Sequence, residues 1–328
     1  MKRKVLAWMM CLLCMLTSGC VKNNEAESSP SPAATMKRES KKPALPEKLE
    51  LNQEGVPLLQ VYQVDEEQIV KMDIETYLEG VLAGEMKNDW PIEALKAQAI
   101  LARTFVLKFC TEKESMYEGA DISTSIEEAQ AYDATGVNSR IKKAVKETRG
   151  LVLSHDGQLP YAWFHAHSGG VTALAGEGLA YEDQEPGYTQ VVKGMESGKA
   201  PADARAWEAE FTVEEVVAAA EKCGLKIGHV DEIEIADTGE SGRAETIAIN
   251  GQNVPAAKLR IELGSTKMRS TLLTSLRAEG ERVKMAGKGY GHGVGMPQWG
   301  AYAMAEDGKT AEEIVTYYFR DVTVEKVW

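Results

Sequence analysis

The chain has 328 residues, 44% of them apolar, enough for one large or two modest globular bodies with real cores. It carries 37 basic against 50 acidic side chains, a formal net charge of −13, which argues against nucleic acid as a partner. A local basic site can still outvote a distant acidic surface, so an anionic substrate stays open.

The first residues read as an export signal. Lys2, Arg3 and Lys4 precede an apolar run from Val5 to Leu16, which is too short to span a bilayer comfortably. Leu16-Thr17-Ser18-Gly19-Cys20 resembles a lipoprotein processing site, with Cys20 as the lipid anchor and Thr17 where Leu is usual. An uncleaved signal anchor and plain secretion are the alternatives. All three place the body outside the cytoplasm, on the outer face of the cell membrane if anchored. The expected division is a signal over 1–19, a flexible tether rich in Glu, Lys, Ser, Pro and Ala over 20–52, and one domain over 53–328. Of the five cysteines, only Cys110 and Cys223 fall in the body, as a pair or as two thiols.

In chain order, Val56 to Val64 is a β-rich run with Pro57 at its start. Asp73 caps a helix carrying Tyr77, Leu78, Val81 and Leu82. Trp90-Pro91 opens a second helix, with Ile92, Leu95, Ala99, Ala102, Val106 and Phe109 at helical spacing. Residues 111–138 are polar, a loop with a short helix. Residues 150–154 and 159–164 flank Asp156-Gly157 and read as a β-hairpin. Thr212 begins a helix to about Glu221. Ile233–Ile235 and Ile247–Ile249 are strands, with a turn at Asn250-Gly251, and Leu259–Leu263 is helical. Thr310-Ala311-Glu312-Glu313 is a capping box before Ile314, Tyr317, Tyr318 and Phe319. The mixture predicts an α+β fold, a helical core packed with antiparallel β hairpins, with no internal repeat.

Three segments can carry chemistry. Glu85 ends the first helix among Gly84, Met86 and Trp90, and a carboxyl in partly apolar surroundings holds its proton more tightly. Arg103 on the second helix can face it and bind a polar or anionic group, or it can form a structural ion pair. Trp163-Phe164-His165-Ala166-His167-Ser168-Gly169-Gly170 ends a strand in two glycines that permit close approach of a ligand. His165 and His167 alternate onto one face, which is half of a metal site or two satisfied histidines at a strand end. Gly287 to Ala301 is glycine-dense but lacks the phosphate-loop spacing and any preceding strand in a βαβ unit. Its Tyr290, His292, Gln298 and Trp299 suit a sugar, by stacking and hydroxyl recognition, or a tight structural turn.

Together the Glu85 segment, the Gly-His-Gly-Val-Gly-Met-Pro-Gln-Trp-Gly-Ala segment, Ser241-Gly242-Arg243-Ala244 and the stretch from Leu259 to Thr271 resemble the stage II sporulation protein D and amidase-enhancer family, from about Val56 to the C-terminus. The resemblance implies a lytic transglycosylase acting on peptidoglycan glycan strands. Glu85 would be its acid and base, and Arg103 matches a position tied to activity. Tyr188 matches a family aromatic, while His165, Ser168, Gly169, His292, Gln298 and Trp299 would line the groove. It further implies work beside a wall amidase/endopeptidase and a membrane scaffold in septal wall remodelling during engulfment. Some relatives hold zinc through Cys and His in the segment matching Asp121 to Tyr132. Here that segment has neither, so no metal and no cofactor are expected. Pro297 replaces a frequent Ser and should stiffen the loop. Two other classes compete: a non-catalytic, glycan-binding amidase enhancer, and a hydrolase that needs a second carboxylate, with Asp89 and Glu93 nearby in sequence.

Overall fold

The computed structural model describes residues 41–328. The expected export signal, Cys20 and most of the expected tether lie outside the described residues. Pro43, Pro46 and Leu49 are buried on the body, so the packed chain begins ahead of residue 53, where apolar side chains interrupt the polar composition.

The fold is α+β, with two large hydrophobic cores and a small third cluster of Ala173, Ala175 and Val294 among the described residues. β1 (Leu58–Gln63) and β2 (Gln68–Asp73) form an antiparallel hairpin in the register Leu58↔Asp73 to Gln63↔Gln68. Leu59 and Val61 point inward with the strand period of two and are fully buried. α1 (Ile74–Glu85) starts directly after β2, because Asp73 Oδ1 accepts from the Thr76 N–H at 3.0 Å. α2 (Ile92–Glu112) follows Pro91, which occupies the N-cap rather than the first helical position. Fourteen of its 21 residues are buried, so α2 is the central helix, not a surface one.

Residues 113–138 contain no helix. Asp121 Oδ2 accepts from the Gln60 N–H at 2.8 Å and draws the chain along β1, where β3 (Ile122–Ser123) pairs in parallel. α3 (Ser139–Glu147) follows, capped by Asn138, and then β4 (Leu151–Ser154). The expected hairpin stops at its turn. Asp156 and Gly157 have positive φ and His155 bridges Gln158, but β4 pairs with the chain's last strand, Thr323–Lys326. Pro160 has no N–H to continue the ladder. β5 (Phe164–His165) instead takes a later partner, and α4 (Ala175–Leu179) and α5 (Ala202–Arg205) are short.

The second core spans β6 (Ala206–Thr212), α6 (Val213–Lys222), β7 (Ile233–Thr238), β8 (Ala244–Ile249), β9 (Gln252–Pro255), α7 (Ala256–Glu262), β10 (Leu273–Glu279) and β11 (Arg282–Lys288). Its sheets have the orders β10-β11-β6 and β7-β8-β9, packed around Trp207, Phe211, Val216, Ile247, Leu259 and Val283. The chain then returns to the first core. β12 (Met296–Pro297) pairs in parallel with β5, and α8 (Gln298–Glu306), α9 (Ala311–Tyr318) and β13 (Thr323–Lys326) complete it. α9 begins with the expected capping box. Cys110 and Cys223 are unpaired and belong to different cores.

Candidate active site

Glu85 is the last residue of α1. The backbone turns extended at Met86, so the Glu85 side chain leaves the helix at the rim of a cleft. Three separated parts of the chain meet there. The Ala131 N–H donates to Glu85 Oε1 at 2.8 Å. Gln298, the first residue of α8, donates from Nε2 to Glu85 Oε2 at 3.3 Å and to the Glu85 carbonyl at 3.1 Å, across 213 positions of sequence. Burial raises the Glu85 pKa, and these two hydrogen bonds pull it partly back. The negative end of the α1 dipole adds to the raising effect. The site thus holds a desolvated carboxyl that keeps its proton more tightly than a free one, with both oxygens fixed in direction.

Gly84 makes this possible. A Cβ on it would meet the Ala131 carbon and the Tyr132 nitrogen, each at 2.7 Å, so only glycine lets that loop lie against the end of α1. Asn88 Nδ2 donates to the Gly136 carbonyl at 3.0 Å, and Asn138 Nδ2 donates to the Asn88 carbonyl at 3.2 Å. These bonds tie the chain after α1 to residues 133–138 and form the two lips of the cleft.

The cleft has two basins. One, of about 490 Å³, is lined by Glu85, Met86, Lys87, Asn88, Asp89 and Asp133, among others. The other, of about 390 Å³, shares Lys87 and Asp89 and continues to Trp90, Trp299 and Tyr302. Those three rings pack together, with centroids 4.6 Å apart for Trp90–Trp299, 5.1 Å for Trp90–Tyr302 and 5.3 Å for Trp299–Tyr302. A carboxyl basin joined to an aromatic wall suits a chain of sugar rings, with ring faces on the wall and a scissile bond near Glu85. Asp133 accepts from Thr135 and Gly136, which lowers its pKa.

Of the candidate site residues named from the sequence, the structure brings Glu85, Asp89, Gln298 and Trp299 to this cleft. Arg103 lies elsewhere. It is fully buried, and its guanidinium grips Glu75 through Nε at 3.1 Å and Nη2 at 2.6 Å. Nη1 donates to the carbonyls of Leu151 at 2.9 Å and Ala99 at 3.3 Å. Glu75 and Glu85 are at opposite ends of α1, about 15 Å apart along its axis. The expected substrate contact by Arg103 is therefore corrected to a buried ion pair that ties α1, α2 and β4 together. Glu75, which sequence reasoning passed over, also accepts from the Gly150 N–H and from Trp328 Nε1.

Tyr188 is also internal. Its hydroxyl accepts from the Tyr161 N–H at 2.9 Å, and its ring packs near His155 and Trp163. Ser168 is buried against Glu196, to which both its hydroxyl and its N–H donate. His165 Nδ1 donates to the Val294 carbonyl at 3.1 Å, and its ring lies 5.4 Å from that of His292. Burial drives both imidazoles toward the neutral form, His292 down to about 3. Gly169 faces the 288–291 segment: a Cβ on Gly289, at φ +83°, would come within 2.8 Å of the Gly169 nitrogen. The two glycine-rich segments thus pack backbone against backbone at Gly169 and Gly289, bridged at His167↔Tyr290. None of Tyr188, His165, Ser168, Gly169 and His292 lines either basin. Glu93 is engaged too, accepting from the Ala311 N–H and pairing with Lys96. Among the described residues no group of three or more His, Cys, Asp and Glu side chains is placed to hold a metal.

Residues 62–155, which include Glu85 and Arg103, match the family described as Stage II sporulation protein, and residues 174–295 match a domain family of unknown function. The chain is 27% identical to stage II sporulation protein D of Bacillus subtilis (strain 168), over 80% of this chain and 78% of that protein. Its residues 62–155 thus form a domain of the stage II sporulation protein family, and the similarity runs over most of the chain. The stage II sporulation protein D of Bacillus amyloliquefaciens is 28% identical over 80% and 77% of the two chains. The amidase enhancer of Bacillus subtilis (strain 168) is 26% identical over 75% of this chain and 40% of its own. The family is thus named both for sporulation and for amidase enhancement. No helix among the described residues is long and apolar enough to cross a membrane.

Proposed function

We propose that this protein cleaves the glycan strands of cell-wall peptidoglycan as a lytic transglycosylase, outside the cytoplasm, with Glu85 as acid and base. The observation that carries the reading is Glu85 itself: a desolvated carboxyl with a raised pKa, aimed by Ala131 and Gln298, in a cleft that continues to an aromatic wall. Protonated Glu85 gives its proton to the oxygen between N-acetylmuramic acid and N-acetylglucosamine, and the C1–O bond breaks. The carboxylate then takes the proton of the muramoyl C6 hydroxyl, whose oxygen bonds to C1. The net change moves one proton between two oxygens and leaves a 1,6-anhydro end without consuming water. One carboxyl suffices, because the substrate supplies the nucleophile.

Asp89 and Asp133 line the same basin, and this favours hydrolysis as a second reading, with one of them activating water. The hydrogen bonds that Asp133 accepts lower its pKa and weaken it as a base. Mass spectrometry of the products from purified protein and peptidoglycan separates the readings. Anhydro-muramoyl ends support transglycosylation, and reducing ends overturn it in favour of hydrolysis. Glycan binding without any product moves the assignment to an amidase-enhancer role. A setting in septal wall remodelling, beside a wall amidase/endopeptidase and a membrane scaffold, belongs to the same proposal.

A further inference from the structure

The two basins of the cleft differ in charge. Around Glu85 the lining carries the acids Asp89 and Asp133 with one cation, Lys87. Around the aromatic wall it carries three cations, Lys87, Arg140 and Lys199, against Asp89 and Glu306. Lys199 is committed: it pairs with Glu306 at 2.5 Å and lies 5.4 Å from the Tyr302 ring centre. Lys87 and Arg140 are exposed and form no ion pair among the described residues. Arg140 moreover stands in the first turn of α3, which contains no acid and where the helix dipole disfavours a cation. Departures from local electrostatic preference concentrate at functional sites. These cations flank Trp299 and Tyr302, so a ring lying on the wall presents its substituents to them.

We infer that Lys87 and Arg140 form a carboxylate-reading subsite, which accepts an anionic group carried by the sugar ring stacked on the aromatic wall. This rests on the reading of the cleft as a glycan site and adds which sugars it selects. The carboxylate has two sources in peptidoglycan: the lactyl group of a muramoyl residue freed of its stem peptide, or the acids of the peptide itself. The subsite also orients the strand, since the charged ring goes to the cationic basin and the scissile bond to Glu85.

The test is binding by the full protein, and by its Lys87→Ala/Arg140→Ala variant, to three glycans. These are neutral chitohexaose, peptidoglycan strands stripped of stem peptides, and strands that retain them. The inference expects stripped or peptide-bearing strands to bind the variant about three- to tenfold more weakly, from two exposed charge contacts. It expects the neutral oligosaccharide to change less than about twofold, and the charge-dependent part to fade with salt as screening predicts. A loss confined to stripped strands assigns the lactyl carboxylate, and a loss confined to peptide-bearing strands assigns the peptide acids. Both substitutions are exposed, and unchanged chitohexaose binding certifies the fold. Equal affinity of variant and wild type for every glycan overturns the subsite while leaving the glycan reading intact. A wild type that binds none of the three overturns both.

Discussion

Replacing Arg103 should unfold the protein before it alters the chemistry. Its guanidinium is fully buried and spends four hydrogen bonds on Glu75, Leu151 and Ala99. Arg103→Ala leaves the Glu75 carboxylate beside only the Gly150 N–H and Trp328 Nε1, and it takes the guanidinium donor from the Leu151 carbonyl. Breaking a buried, hydrogen-bonded pair costs about 3–5 kcal/mol. At about 2–4 °C per kcal/mol for a body of this size, the melting temperature falls by roughly 6–20 °C. Arg103→Lys keeps the charge but cannot grip Glu75 with two parallel bonds and still reach both carbonyls, so it recovers only part of the loss. Urea titration of each variant measures the stability. Turnover per folded molecule, taken at a temperature where both are folded, measures the chemistry and should stay within about threefold of wild type, as expected for a site about 15 Å away. An Arg103→Ala protein with wild-type stability and no turnover would refute this reasoning and put the guanidinium back at the reacting atoms.

Two further perturbations address the carboxyl. Gln298 donates to Glu85 and so favours its charged form; Gln298→Leu removes that donor, and Glu85 holds its proton to higher pH. The alkaline limb of the pH–rate profile should therefore move up by roughly half to one unit, from a hydrogen bond worth about 1 kcal/mol, while a downward move would contradict the sign. Gly84→Ala drives a methyl group into Ala131 and Tyr132, which should cost about 1–3 kcal/mol and withdraw the Ala131 N–H from Glu85. Lowered turnover with a raised alkaline limb is expected, and an unchanged profile would show that Ala131 does not aim the carboxyl.

Much of the local structure was legible. The Asp73 and Thr310 caps and the β-rich run from Val56 to Val64 act over a few residues, and the caps and a strand within that run are where the sequence places them. The partly apolar surroundings of Glu85 were legible from Gly84, Met86 and Trp90, and burial does raise its pKa. What was illegible depends on long-range choice of partner. β4 passes over its neighbour for the distant β13, since a proline interrupts the near ladder. Nothing local to Gln298 says that it will reach Glu85, and the Ala131 contact is a backbone N–H with no residue type to betray it. Arg103 misled because a buried arginine and a substrate-binding arginine look alike in sequence; Glu75, 28 positions earlier, separates them. The glycine at 169 was ambiguous in the same way, since close approach to a ligand and close approach to another backbone demand the same residue.

The most direct test of the account is the Glu85→Gln protein acting on peptidoglycan, with soluble products read by mass spectrometry and folding checked by its melting curve. The account predicts a melting temperature near that of wild type and loss of all anhydro-muramoyl products, because an amide keeps the shape but can neither give nor take the proton. A folded Glu85→Gln protein that still releases anhydro ends would contradict it.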